Sequence, residues 1–483
     1  MDEMEKIENL EPSAVWRHFA RICSIARPSL HEAALRDHIR SWADSRGIAS
    51  LVDNAGNLIL KKEASEGHES KPGVILQGHL DMVCQANSGT SHDFLKDPIR
   101  PVVADGWVTA AETTLGADNG MGVALALALL EEEGLVHPPL EVLLTVNEES
   151  GMEGARGLEP GILKGGMLIN LDTEEWGHVY LGCAGGEDVE VSATFALESL
   201  PEDHGIFRLD VSGLKGGHSG IDIHLGRGNA IRLLAEALNA FPDIRLLSIE
   251  GGTARNAIPR EAHAVISAPK ETDIAERVKR KNQEWKKRFE HVDDGVSLNL
   301  SFSSSQSKLC ISDWRRLTGF LAAAPDGVAA MSGDFQGVVE TSSNLGMAIL
   351  EDGALQVAFN VRSLLDGKKG WLAEKIAFLA ESAGFVASRS NAYPGWKPDP
   401  DSRLLDLFQT VCQARFGKAA SIQVIHAGLE CGLFAVSHPD LEMISFGPDI
   451  VGAHAPGEKV RIDSVAKCWE LLKGVIEGLA FGE

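Results

Sequence analysis

Residues 73–83 read Gly-Val-Ile-Leu-Gln-Gly-His-Leu-Asp-Met-Val. A short apolar run between glycines is the pattern of a strand covered on both faces. Just past its carboxyl end stand an imidazole and a carboxylate, His79 and Asp81. The texture recurs on either side. Apolar runs bounded by breakers occur at Asn57–Lys61, Leu140–Val146 and Met167–Leu171, with a long helical stretch from Met121 to about Glu133. Helical periodicity also covers Ser13 to about Ile25 and Leu30 to about Arg46, where Gly47 stops it. Strand, helix and strand at these lengths predict an α/β fold with a largely parallel sheet covered by helices.

Beyond Gly185-Gly186 the order changes. Strand patterns at Ile206–Ser212, Ile244–Ile249, Glu261–Ala268 and Val296–Phe302 alternate with helices at Asn229–Ala240 and Asp273–Phe289. That order is β-α-β-β-α-β, as in ferredoxin-like units. A looser repeat follows: helix Ser312–Ala323, strands Gly337–Thr341 and Ala354–Arg362, helix Gly370–Ala383 and strand Phe385–Ser390. Thr253-Ala-Arg-Asn256 and Thr341-Ser-Ser-Asn344 echo one another between strands of the two halves. After the Pro-rich segment 393–400 the first texture returns, with a helix at Leu404–Phe416, apolar runs at Ile422–Ile425 and Met443–Phe446, and a last helix at Ile462–Leu479. The expected organisation is a discontinuous α/β domain, residues 1–185 plus 399–483, interrupted by an α+β domain, 186–398, of two β-α-β-β-α-β halves.

The chain has 483 residues and a net charge of −24, with a pI near 5.1. Nucleic acid and anionic membrane surfaces call for a basic footprint, so neither is expected as a partner. No apolar run reaches the ~18 residues of a membrane span, and the acidic N-terminal stretch does not read as a signal peptide. The seven cysteines are scattered without a C-x-x-C pair, which argues against a disulfide framework or thiolate zinc site and for the cytoplasm.

The acidic and histidine residues carry the functional signal. His79 and Asp81 follow one strand, Glu148 and Glu149 another, and Asp172 a third. Asp118 immediately precedes a helix, and His454 lies in the loop after the run Met443–Phe446. Singly, such residues cap helices or face water, and an N-cap role alone would account for Asp118. Jointly they fall at the strand-end edge where open α/β sheets bind ligands. Two imidazoles with three or more carboxylates suit Zn²⁺, Mn²⁺ or Co²⁺ better than Mg²⁺. The number is too large for one ion and right for two sharing a bridging carboxylate. Adjacent Glu148 and Glu149 could divide the remaining labour, one binding metal and the other taking a proton from water.

His79-Leu-Asp81, Gly116-Ala-Asp-Asn-Gly-Met-Gly122, Glu148-Glu-Ser-Gly151, Asp172 and the His454 loop resemble, in order, the metal-site segments of the M20 metallopeptidases. Gly182-Cys-Ala-Gly-Gly186, Leu214-Lys-Gly-Gly-His-Ser-Gly220, Arg255-Asn-Ala-Ile-Pro-Arg-Glu261 and His426-Ala-Gly-Leu-Glu-Cys-Gly432 extend the resemblance to the family's dipeptidase branch. The resemblance implies two divalent ions, zinc or else cobalt or manganese, although some relatives work with one. His79 and Asp172 would bind one ion, Glu149 and His454 the other, and Asp118 would bridge. Glu148 would be the general base, and Asp81 would orient a metal-bound imidazole. It also implies that the inserted domain is a lid through which two copies can pair. On the lid, His218 would donate to the oxyanion, while Asn256 and Arg362 would hold the substrate backbone and its C-terminal carboxylate. The substrate would be a free dipeptide, with a preference for C-terminal histidine implied by the resemblance alone.

Rival readings are weaker. The Gly-rich segment 213–220 lacks the order of a phosphate-binding loop. A cysteine hydrolase built on His426 and Cys431 would pair sequence neighbours, an uncommon arrangement, and Cys is more often a small buried hydrophobe. A non-catalytic binding protein of the same fold would lack a ligand or the base, and none is missing. Among enzymes, the alternative is a deacylase or aminocarboxypeptidase acting on N-acyl amino acids.

Overall fold

The computed structural model describes residues 7–241, 243–270, 273–305 and 307–482. They form two units: one comprises the chain up to Gly182 with Trp396–Val424 and Leu429 onward, the other Cys183–Gly395 with Ile425–Gly428.

The first unit is built on an eight-stranded sheet. From edge to edge its strands are Ala49–Val52, Leu58–Lys62, Leu140–Thr145, Val74–His79, Met167–Asn170, Glu442–Ser445, His178–Cys183 and Ser421–Ile425. Only the centre is parallel: Val74–His79 pairs in parallel with both Leu140–Thr145 and Met167–Asn170, and the latter with Glu442–Ser445. Leu58–Lys62 and Ala49–Val52 add on antiparallel at one side, and His178–Cys183 pairs antiparallel with Glu442–Ser445 at the other. The largely parallel sheet expected from sequence is therefore a mixed one. A two-residue-alternating, half-exposed pattern at Ala49–Val52 marks it as an edge. The central strands Val74–His79, Leu140–Thr145 and Met167–Asn170 are buried throughout, in line with their continuous apolar runs.

The helix Ala117–Glu131 is apolar all round and almost wholly buried, as a helix must be when sandwiched between a sheet and a second layer. It packs on Val74–His79 on one side and on helix Ser13–Cys23 on the other. Helices Arg403–Phe416 and Ile462–Phe481 pack together, the former against Glu442–Ser445. A smaller sheet of Pro101–Ala104, Trp107–Ala110, Lys459–Arg461 and Ile450–Val451 joins two distant loops.

The second unit centres on a long antiparallel sheet ordered Ser297–Phe302, His204–Ser212, Ala262–Pro269, Arg245–Gly251, Val339–Glu351, Ala354–Ser363, Gly185–Thr194 and Val386–Tyr393. Two β-α-β-β-α-β halves meet where Arg245–Gly251 pairs with Val339–Glu351. The first strand of the second half is Gly185–Thr194, which lies ahead of the entire first half in sequence. The glycines read as a boundary thus open a ten-residue strand. The expected short strand Gly337–Thr341 is the start of a 13-residue one, Val339–Glu351, whose partner Gly327–Met331 went unread.

Candidate metal centre

Register brings the strand ends together. His79 pairs with Thr145, and Gln77 with Asn170. Residues one to three positions beyond these strands therefore emerge along one edge, and they include Asp81, Glu148 and Asp172. Asn119 stitches that edge: its Oδ1 accepts from the His79 N–H at 3.2 Å and its Nδ2 donates to Leu171 O at 2.6 Å. The stitch needs close approach. A Cβ on Gly78 would collide with Asn119 Oδ1, and one on Gly122 with Leu171 O, which accounts for these glycines physically.

Asp118 divides its oxygens between two imidazoles. Its Oδ1 lies 3.1 Å from His79 Nε2 and its Oδ2 3.2 Å from His454 Nε2. His79 Nε2 also lies 3.4 Å from Asp172 Oδ1, and His454 Nε2 lies 3.0 Å from Glu149 Oε2. Three groups have their donor atoms within 4.8 Å of one another, His79–Asp118–Asp172, Asp118–Glu149–His454 and His79–Glu148–Glu149; the first two share Asp118 and together match the expected pair of ligand sets. Glu148 stands beside them, its Oε2 4.0 Å from His79 Nε2. Glu149 Oε1 is buried without a hydrogen-bond partner. A mixed nitrogen and oxygen donor set with an orphaned carboxylate oxygen fits a divalent cation of the zinc, cobalt or manganese type.

Asp81 organises the cluster from beneath. It is fully buried. Its Oδ1 accepts from the Glu148 N–H at 3.0 Å and its Oδ2 from the Glu149 N–H at 3.1 Å and Ser29 Oγ at 2.7 Å. His79 Nδ1 lies 3.2 Å from the Asp81 carbonyl oxygen and 3.4 Å from Asp81 Oδ1, contacts of the kind that orient an imidazole toward a metal. The turn bearing Glu148 and Glu149 runs between two left-handed residues, Asn147 (φ 54°) and Met152 (φ 54°). Asn147 N–H is tied to Glu32 Oε1 at 2.8 Å.

The electrostatics are those of crowded carboxylates opposed by two imidazoles. Burial pushes Asp81 up, but the His79 hydrogen bond and charge, with Ser29 and the Glu148 N–H, hold it down at about 2. Asp118 is likewise lowered, its burial outweighed by both histidines. Burial raises Glu148 well above the usual range, opposed by His79 and reinforced by Asp172, Glu430 and Glu149. Burial raises Asp172 to about 6 and Glu174 to about 8. Hydrogen bonds to Asp118 and Glu149 lift His454 to about 11. A site of this kind gathers negative charge that a cation would neutralise.

The structure therefore gathers His79, Asp81, Asp118, Glu148, Glu149, Asp172 and His454 in the first unit. His218, Asn256 and Arg362 belong to the second unit. There His218 Nδ1 accepts from Gly220 and Ile221 N–H at 3.2 and 3.1 Å. The proton of the neutral ring is thereby assigned to Nε2. Burial and then the Arg362 charge depress His218 to about 4. Arg362 is buried, donates from Nη1 to Tyr393 Oη at 3.0 Å and leaves Nε without a partner. Asn256 is exposed, and its carbonyl accepts from Ser219 N–H at 2.8 Å. His426 Nε2 meets Ser342 Oγ at 2.8 Å, and Cys431 is fully buried, so the pair shows no sign of nucleophile and base.

Several supporting residues escaped the sequence reading. Ser29 and Arg27 lie far upstream in a segment without a motif. Asn119 and Glu458 stood beside predicted ligands, yet an amide beside an aspartate and a glutamate in an acidic chain carry no distinctive signal. Among the described residues no helix is long and apolar enough to cross a membrane, and the seven cysteines form no disulfide bond.

The Escherichia coli (strain K12) cytosol non-specific dipeptidase is 43% identical over 480 residues, 98% of this chain and 99% of the relative. The crystal structure of aminoacylhistidine dipeptidase from Vibrio alginolyticus superposes with a TM-score of 0.90 at 42% identity, covering 98% of both chains. Aminopeptidase PepT from Bacillus cereus, at 16% identity and a TM-score of 0.58 over 98% of this chain and 99% of its own, shares the fold. The model for "Peptidase family M20/M25/M40" matches residues 75–478, and with this geometry and these relatives the chain belongs to that family.

Proposed function

We propose that the protein is a metal-dependent dipeptidase that hydrolyses unblocked dipeptides, those with C-terminal histidine among them. The observation that carries this reading is Asp118, whose two oxygens face His79 and His454 separately while Glu148 stands within reach of the same cluster. His79 with Asp172 would hold one divalent ion, Glu149 with His454 a second, and Asp118 both, zinc being the ion best matched to these donors. Bound there, such ions supply an acidified water and polarise the scissile carbonyl.

The chain's own groups do the rest. Glu148 takes the proton of the attacking water and returns it to the leaving amine. Asp81 keeps the N–H groups of Glu148 and Glu149 and the ring of His79 in register. His218, neutral with its proton on Nε2, donates to the oxyanion. A pre-aimed donor is worth ~3 kcal/mol there. Arg362 binds the C-terminal carboxylate with its planar fork, and its unpartnered Nε is consistent with that duty. Asn256 contacts the substrate backbone. Relatives named as a cytosol non-specific dipeptidase and an aminoacylhistidine dipeptidase support a dipeptide substrate, action in the cytoplasm and broad tolerance for the side chains.

The test is a comparison of free dipeptides, amidated dipeptides and N-acyl amino acids, run with the wild type and Glu148→Gln. Free dipeptides should be cleaved best. Glu148→Gln should keep its metal while turnover falls at least ~10²-fold. Equal turnover of free and amidated dipeptides, or preference for N-acyl amino acids, would replace this reading with the deacylase one. Loss of metal in Glu148→Gln would exchange the roles of Glu148 and Glu149.

A further inference from the structure

We propose that Glu458 and Arg27 are positioning residues that together fix the Asp118 carboxylate, so that cation binding depends on them through the backbone. This rests on Asp118 being a metal ligand. Glu458 is 2% exposed. Its Oε2 accepts from the N–H groups of Leu115 and Gly116 at 2.8 and 2.9 Å. Its Oε1 accepts from those of Ala117 and Asp118 at 2.7 and 3.2 Å. Arg27, also 2% exposed, grips the same segment from its carbonyl side, donating from Nη2 to Gly116 O. Its Nη1 donates to Leu80 O at 2.9 Å and Asp81 O at 2.6 Å.

One side chain thus collects amides and the other carbonyls. Between them they pin the two turns that present His79 and Asp118. Glu458 is itself held: its carbonyl accepts from Thr109 Oγ1 at 2.8 Å and its N–H donates to Ala455 O at 3.1 Å. It belongs to the loop that carries His454, so three ligand-bearing segments share one hydrogen-bonded frame.

Ordinary capping does not account for the arrangement. A helix N-terminus needs partners for its free N–H groups, but here Gly116 is left-handed and Asp118 and Asn119 depart from helical geometry. The four N–H groups converge on one carboxylate because the backbone is bent to aim them. Aspartate is short, so its oxygens follow the backbone closely. Both are committed, one to each imidazole, and a site of this kind tolerates errors of only ~0.5 Å.

The experiment titrates Co²⁺ into the chelator-treated full-length protein against a competing chromophoric chelator, and records its visible absorption bands. Glu458→Gln turns an amide NH₂ toward N–H donors. It should weaken Co²⁺ binding at least ~10-fold and alter the bands, while a core variant such as Leu472→Ala binds Co²⁺ as the wild type does despite its lower Tm. Arg27→Lys should shift affinity in the same direction. If Glu458→Gln does not fold, Thr109→Val removes the hydrogen bond to the Glu458 carbonyl, which loosens the backbone that carries the carboxylate while leaving its charge, and should show a smaller loss. Wild-type affinity and bands in these variants, or a loss no greater than in Leu472→Ala, would reduce the pair to structural residues and overturn the proposal. Asp118→Ala separates the two levels of the argument. If it keeps its Co²⁺, the ligand assignment fails; if it alone loses Co²⁺, the assignment stands and the clamp does not.

Discussion

Glu430→Gln should stabilise the metal-free protein, and more so as pH rises. Glu430 is fully buried in the first unit. Its Oε2 accepts from Gln77 Nε2 at 2.6 Å and Thr145 Oγ1 at 2.7 Å, and its Oε1 has no partner. Burial raises its carboxyl from 4.5 to about 8, with His79, Thr145 and Gln77 opposing and Asp172 reinforcing. An acid whose proton affinity is raised by folding keeps its proton in the native state while the unfolded chain has lost it. The native state then binds more protons, and stability falls as pH rises from 4.5 toward 8. At about 1.4 kcal/mol per pH unit, the cumulative cost approaches roughly 5 kcal/mol at the upper end. Shielding by neighbouring groups brings the expected value to about 2–5 kcal/mol. Glutamine resembles the protonated acid, keeps an acceptor for Gln77 and Thr145, and does not ionise. Denaturant unfolding of both proteins in chelator should therefore give similar midpoints near about pH 5 and a widening advantage for the variant toward about pH 8. With metal bound, positive charge nearby should shrink the gap. A pH-independent difference, or a variant less stable near about pH 8, would refute the account of Glu430 as an acid kept neutral by burial.

Other consequences are equally direct. Gly122→Ala would drive a methyl into Leu171 O, so a loss of about 1–3 kcal/mol with reduced metal content is expected by calorimetry and metal analysis. Asp81→Asn leaves one of the two turn N–H groups facing an NH₂ in place of an oxygen. Its kcat should fall ~10–100-fold with metal affinity weakened in parallel, measured by kinetics and chelator competition. Arg362→Lys keeps the charge but loses the fork, so KM for free dipeptides should rise while amidated dipeptides change little. His218→Ala should lower kcat more than it raises KM, with folding and metal content intact.

That His79, Asp81, Asp118, Glu148, Glu149, Asp172 and His454 would come together was legible because strand ends are legible. The run from Val74 stops at Gly78, so the sequence alone places His79 and Asp81 at an edge. The supports were not legible. Arg27 works through the carbonyls of Leu80, Asp81 and Gly116, and carbonyls have no sequence signature. Gly185-Gly186 reads as a breaker, yet it opens a strand, because the Tyr393 ring and the backbone of 393–395 press against the places where Cβ atoms would be. The glycines there record close packing rather than a turn. The antiparallel margins of the first sheet were missed for a related reason: Leu58–Lys62 is buried on both faces at its start and so looks like a central parallel strand.

The position of Gly185–Thr194 constrains how the chain can be made. Its register partner for Asp188 is Asn360, so on a ribosome this strand emerges long before anything it can pair with. The whole inner half, His204–Phe302, is synthesised meanwhile and has all its own strands to hand. The outer half must wait, and the first unit waits longer still for Glu442–Ser445 to complete its parallel centre. Assembly from the inside outward is the order this nesting favours. An unpaired, glycine-led strand that stays exposed during that wait is where chaperone contact and misfolding would concentrate.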